Sequence, residues 1–158
     1  MGVVEQSHES VESYLSVLDD SYGSFPINQR TLAVSTGEYE RECERASAGR
    51  VDLYTKVVND DAEVLHLRRD DEVVLPSTRV SDVPFEPVLR ERVEDATGLS
   101  CTINGVDQAT ILGVVDTEND RDAVYRLAVV FEASPLSGQK ASDAVWHKTA
   151  AVPELVAP

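Results

Sequence analysis

Apolar and polar positions follow two rhythms along this chain. Residues 9–20 (ESVESYLSVLDD) place Val11, Tyr14, Leu15 and Leu18 at helical spacing, and the run Tyr22-Gly23-Ser24-Phe25-Pro26 then breaks the pattern. This predicts a short amphipathic helical arm. Thr31 to Val34 reads as a strand, and 36–49 (TGEYERECERASAG) as a helix with a polar N-cap and a glycine stop. From Val51 the rhythm becomes two-residue: VDLYTKVV, a turn at Asn59-Asp60-Asp61, and AEVLHLRR running back predict a β-hairpin. Asp70-Asp71 turns the chain into a short strand at EVVL, followed by an irregular loop from Pro76 to Val83. Pro84 can open the next helix, whose stripe is Val88, Leu89, Val93 and Ala96 and whose stop is Gly98.

Two further strands follow, Cys101 to Val106 and ATILGVV, then an acidic turn at DTENDRD. The apolar run AVYRLAVVFEA over 123–133 predicts the central strand, because a strand covered on both faces carries so continuous a run. Ser134 to Ser142 reads as a loop, AVWHK as a short edge strand or turn, and VPELVAP as a tail. No internal repeat or low-complexity segment interrupts this order. Helices alternating with strands give an α/β chain: residues 1–48 form an N-terminal extension of helix, short strand and helix, and residues 49–158 the main domain.

Composition agrees with a globular domain: 158 residues, 42% apolar and 27% charged, enough to bury a core without disulfide or metal staples. Charge changes the picture further. With 29 acidic against 14 basic residues, the net charge is −15. A nucleic-acid surface concentrates Lys and Arg, whereas here Arg is scattered and Lys occurs only at positions 56, 140 and 148, so neither nucleic acid nor an anionic membrane is an expected partner. The acids spread from Glu5 to Glu154 in runs of at most three, the composition of a halophile rather than of a local acidic tail. At molar salt the Debye length falls to about 3 Å and self-repulsion is screened, and at low salt the same charge destabilises the fold. Cys43 and Cys101 are the only cysteines, and the N-terminus MGVVEQSHES has neither the basic patch nor the apolar core of a secretory signal. Both thiols are expected as small buried hydrophobes in a cytoplasmic protein.

Several local phrases carry a resemblance to a known family. Leu75-Pro76-Ser77-Thr78-Arg79-Val80, Glu94-Asp95-Ala96-Thr97-Gly98-Leu99, Val130-Phe131-Glu132-Ala133 and Val145-Trp146, in this order, resemble the Nudix family over residues 50–153. The resemblance implies an α/β/α sandwich with a mixed, curved sheet. It also implies attack of water on the pyrophosphate of a nucleoside diphosphate derivative, with Mg²⁺ or Mn²⁺ held by glutamates at helix offsets 0, 3 and 4. The family's box reads G-x5-E-x7-R-E-U-x-E-E-x-G-U, U being a bulky apolar residue, and this chain departs from it in either of two registers.

Anchored on Gly98-Leu99, Val93 takes the apolar position, the Arg-Glu pair becomes Glu91-Arg92 and the Glu-Glu pair becomes Asp95-Ala96, so only Asp95 stays acidic at a ligand position. An Arg92 guanidinium beside a divalent cation would repel it. In the second register Arg90-Glu91 and Glu94-Asp95 restore both pairs and Asp82 replaces the upstream glutamate, at the cost of Arg92 in the buried position, one residue more before Gly98, and a helix rotated by about 100° or containing a bulge. The resemblance therefore nominates Glu91, Glu94 and Asp95 as catalytic metal ligands, with Asp82 as a fourth ligand and Glu86 as a further helper. The plain alternative is a solvated helix face in a chain that is acidic everywhere. Arg68, Arg69 and Arg79 either steady a substrate phosphate or pair with neighbouring carboxylates. His66 and His147 read as core or surface histidines, and Trp146 as an anchor for the closing strand or, as the resemblance implies, an aromatic that stacks on a base.

Two functions follow. One is a metal-dependent pyrophosphohydrolase. The other is a catalytically inactive module that binds a nucleotide-like small molecule or a protein through the same cleft. Converging Glu91, Glu94 and Asp95 would favour the first, and Arg92 in the cleft the second. A third role belongs to residues 1–48 alone, as the contact to a partner or to a second copy in a homodimer, removable without loss of the fold.

Overall fold

The computed structural model describes residues 2–151, so the predicted tail at 152–158 lies outside the described residues. Three helices, α1 (Val3–Tyr22), α2 (Thr36–Ser47) and α3 (Glu86–Thr97), are interleaved with eight strands: β1 (Ile27–Val34), β2 (Val51–Val57), β3 (Val64–Arg69), β4 (Glu72–Val74), β5 (Ser77–Val80), β6 (Leu99–Asp116), β7 (Val124–Gly138) and β8 (Ala144–His147). A five-stranded mixed sheet runs β1-β6-β7-β2-β5 and a three-stranded antiparallel sheet runs β4-β3-β8. β1 is parallel to β6 and β7 to β2, whereas β6–β7 and β2–β5 are antiparallel. The apolar run does occupy the middle of the large sheet, as β7.

Alternation along β7 sets the layers. Leu127, Val129 and Phe131 face one way, into a core completed by Val11 and Leu18 of α1 and by Phe85 and Leu89 at α3. Val124 faces the other way and joins Leu112, Val114, Tyr39 and Ala46 under α2. Helices thus cover both faces. A third cluster, Val57, Leu65, Leu67, Val93, Cys101, Ala133 and Ala144, seats the small sheet against α3 and the far end of the large sheet.

Several expectations are corrected by this arrangement. β2 and β3 do not form a hairpin: one isolated bridge, Val58 with Val64, closes the turn before the strands enter different sheets. The turn itself is local, since the Asn59 side chain accepts from the Asp61 and Glu63 amides at 3.0 and 2.9 Å. Both edges of β2 are taken, one by β7 and the other by β5, which forms inside the segment read as an irregular loop. The two strands expected over 101–115 are one long β6, bent by register shifts between Leu99 and Gln108, and β7 continues to Gly138 through the predicted loop.

α1 is longer than its periodic segment and supplies core residues, Val11 and Leu18, to the main domain. The boundary at 48/49 falls in the tight connection between α2 and β2, and the core crosses it, with β1 hydrogen-bonded into the large sheet. α2 begins at Ser35, whose hydroxyl accepts from the Glu38 amide at 3.3 Å. α3 starts two residues after Pro84, with Pro87 in its first turn, where a missing N–H costs nothing, and the Val83–Pro84 peptide is cis. Val88 is exposed, so the buried stripe is Leu89, Val93 and Thr97. Gly98 ends α3 with φ 81°, and a Cβ there would lie 2.1 Å from the Gln139 carbonyl oxygen, so glycine is required twice over.

Candidate functional site

α3 carries the predicted acids, and its rotation decides what they can do. Val93 is fully buried, whereas Arg92 lies at the surface and its Nε donates to the Ser77 carbonyl at 2.9 Å. The helix is therefore seated in the register anchored on Gly98. Rotating Arg92 inward would bury a guanidinium without a carboxylate and expose Val93.

Asp82, Glu91, Glu94 and Asp95 are all exposed, Asp82 before the helix and the other three along its outer side. Among the described residues, no group of three or more His, Cys, Asp or Glu side chains is placed to hold a metal ion. Glu86 is engaged elsewhere, accepting a short hydrogen bond from the Tyr22 hydroxyl. Burial and that bond push the Tyr22 hydroxyl well above the usual tyrosine range.

Positive charge converges instead on the α2 side of the large sheet. Arg126 points from β7 towards α2, donating to Glu42 Oε1 at 2.7 Å and closely to Asp52 of β2. Burial disfavours its charge, but Asp52 and Glu42 more than offset this, and its pKa is raised. Glu42 is fully buried and also pairs with Arg45, while its Oε2 has no partner among the described residues. Arg79, directly across from Asp52 in the β2–β5 ladder, completes the set at 3.2 Å.

Arg45, Arg50, Asp52, Arg79 and Arg126 line a recess of about 10 Å³. Arg50, half-buried, makes no ion pair among the described residues. Four of the chain's eleven arginines thus meet Glu42, Asp52 and Glu38, the last 3.2 Å from Arg45, at one point of a protein with net charge −15.

A second recess, lined among others by Ser10, Tyr14, Gly49, Arg50 and Tyr125, shares Arg50 with the first. It shares Tyr14 and Gly49 with an open groove of about 510 Å³ between α1, the α2–β2 turn and residues 81–83. The Tyr14 hydroxyl lies 2.8 Å from the Gly49 carbonyl and 2.9 Å from that of Ser81, tying the walls together. Burial, and then the nearby Asp82 carboxylate, raise the pKa of Tyr14. Asp82, nominated as a metal ligand, lines this groove apart from the α3 acids.

The α2 wall is held by a polar clasp. Asp116 accepts from the Thr36 hydroxyl at 2.9 Å and from the Glu118 amide at 2.9 Å, and lies 3.6 Å from Arg121. Desolvation opposes the Asp116 charge, but these donors and Asn119 outweigh it and hold its carboxyl below the usual range.

Of the remaining candidates, Arg79 joins the recess, whereas Arg68 and Arg69 end β3 in the small sheet. His66 is fully buried, its Nδ1–H donating to the Val64 carbonyl at 2.9 Å and its Nε2 accepting from the Ala151 amide at 3.0 Å. Cys101 is buried and its thiol pKa is raised by that burial, while Cys43 is partly buried and raised for the same reason. Arg45, Arg50, Asp52 and Arg126 were not singled out from sequence. Their one visible signal is a charge of each sign inside an apolar strand, Asp52 in VDLYTKVV and Arg126 in AVYRLAVV.

No family model matches the chain, and no curated protein matches it. Among solved structures it is similar to a UDP-X diphosphatase, at 17% identity and a TM-score of 0.46 over 88% of this chain and 67% of that one. It is also similar to a protein described as an oxidoreductase from Sinorhizobium meliloti 1021, at 16% identity and a TM-score of 0.45, over 71% of this chain and 35% of that one. The chain thus spans about a third of one neighbour and two thirds of the other, and neither likeness carries an assignment of activity.

Proposed function

We propose that this chain is a Nudix-fold binding module that holds a phosphoryl group of a nucleoside diphosphate derivative in its arginine recess and does not hydrolyse it. The carrying observation is the convergence of Arg45, Arg50, Arg79 and Arg126 on one recess in a strongly acidic protein. Arg50 and Arg79 have free donors at the mouth, and guanidinium forks suit phosphate oxygens. A recess of about 10 Å³ takes one oxygen rather than a whole phosphate, so the rest of the ligand lies outside it, over the exposed Arg79. Asp52 and Glu42 keep Arg126 charged and fixed, so the pocket is organised before ligand arrives.

The hydrolase reading keeps one supporting feature: Glu91 and Asp95 stand one turn apart on the exposed side of α3. One experiment separates the readings. Calorimetric titration with UDP, ADP and a UDP-sugar, at low and at molar KCl, is paired with product release from the same compounds in Mg²⁺ or Mn²⁺. Binding without turnover, weakened about tenfold in Arg50→Ala, fits the loss of roughly 1.4 kcal/mol for a charge-assisted contact and supports the module. Metal-dependent turnover abolished by Asp95→Ala sinks it in favour of a hydrolase. Binding indifferent to Arg50 and Arg79 removes the recess as the site.

A further inference from the structure

β1 is an end strand of the large sheet. Its inner edge is paired with β6 over all eight residues, and among the described residues nothing pairs with its outer edge. Residues 27–31 are exposed, Ile27 to 50%. An edge of this kind offers a row of unmet amides and carbonyls, and natural proteins blunt it with proline, bulges or inward charges. β1 has no proline and no register shift, and Arg30 is its one charged residue.

The charge map says what can approach it. Between Asp20 and Glu38 lie seventeen residues without a carboxylate, the longest such interval in a chain that carries 29 acids in 158 residues. β1 sits in the middle of that interval. A basic partner would favour the acidic remainder of the surface, whereas another strongly acidic molecule meets no carboxylate on this strand itself. A second copy of this chain is such a molecule. Its own β1 supplies the same unmet row in reverse under a two-fold axis.

We propose that two copies of this protein associate through their β1 edges, pairing antiparallel so that the two five-stranded sheets become one continuous sheet. The pairing places Gln29 to Ala33 around the two-fold axis. Its backbone hydrogen bonds are insensitive to salt, and molar KCl strengthens association by screening the remaining acids. The arginine recess, built on β2, β5 and β7, lies towards the other end of the sheet, so the inference stands independently of the binding function.

Light scattering after size exclusion, in molar KCl, tests this directly. The wild type is expected at twice the 17.3 kDa chain mass. Gln29→Glu with Thr31→Glu puts two carboxylates into the acid-free edge and is expected to give the monomer mass, with an unchanged far-UV circular dichroism spectrum. The control Leu136→Glu with Gln139→Glu adds the same charge at other exposed positions and is expected to leave the dimer intact. A monomeric wild type, or equal loss of the dimer in both variants, overturns the proposal. A single-cysteine scan over 29–33 adds a readout independent of the glutamate variant's folding. Inter-copy disulfides should peak at one position and fall away on both sides, and an absence of any such cross-link refutes the arrangement.

Discussion

The rotation of α3 can be tested by exchanging the burdens of two adjacent residues. Val93 has no exposed surface and sits among Leu65, Leu67, Cys101 and Ala133, whereas Arg92 makes one hydrogen bond, to the Ser77 carbonyl. Val93→Ala removes two buried methyl groups, worth about 1.6 kcal/mol at roughly 0.8 each. The unfilled space adds to this, for a total of about 2–3 kcal/mol. For a domain of this size that lowers Tm by roughly 5–10 °C. Arg92→Ala loses one bond at a partly wet position and should cost about 1 kcal/mol or less. Urea unfolding of both variants in the same KCl buffer reads the two free energies. A larger loss from Arg92→Ala than from Val93→Ala would mean that the helix is seated in the alternative register, with Arg92 inside and the Glu-Glu pair restored. The inactive-site reasoning would then be wrong.

Three further outcomes follow from other parts of the fold. Arg126→Met leaves Glu42 and Asp52 buried without their shared cation and should cost about 3–5 kcal/mol. Adding Glu42→Leu and Asp52→Leu should recover part of that, and a loss below about 1 kcal/mol from the single variant would contradict a desolvated network. His66 has a pKa below its ordinary value because burial disfavours the charged ring, with the Val64 carbonyl opposing and His147 adding to the effect. Its unfolded form binds the proton more readily, so its stability contribution is complete above about pH 6.5 and is lost as pH falls towards the lowered folded value. The urea midpoint should therefore drop between pH 7.5 and 5.5, with a shallower slope in His66→Asn, and equal slopes would exclude His66 as a source. Deleting residues 2–23 uncovers Leu53, Leu127 and Phe131 and should abolish cooperative unfolding; a truncated chain that still melts cooperatively would return α1 to the status of a removable arm.

Much of the architecture was legible because local pattern and burial coincide. The run from Ala123 to Ala133 is apolar because β7 is covered on both faces, and Gly98 marks a helix end because its φ of 81° disfavours other residues. Periodicity likewise found the buried side of α1, although not that the helix forms part of the main core. The sequence by itself determined an acidic α/β chain with a central strand and three helices. Strand partnership it did not determine. β2 and β3 read as a hairpin because alternation reports that a strand has faces, never which strand fills its edge, and here β5 and β7 compete successfully for β2.

The site shows the same division more sharply. Each acid of α3 was visible, but whether they converge depends on a helix rotation decided by the fit of Val93 into its cluster and by Arg92 reaching Ser77. The arginine recess draws on Arg45, Arg50, Asp52, Arg79 and Arg126, spread over 82 positions of the chain from α2 to β7. No local rule links residues so far apart. Only the stacking of α2 on the sheet brings them within the few ångströms over which charges in a partly buried site act strongly on one another.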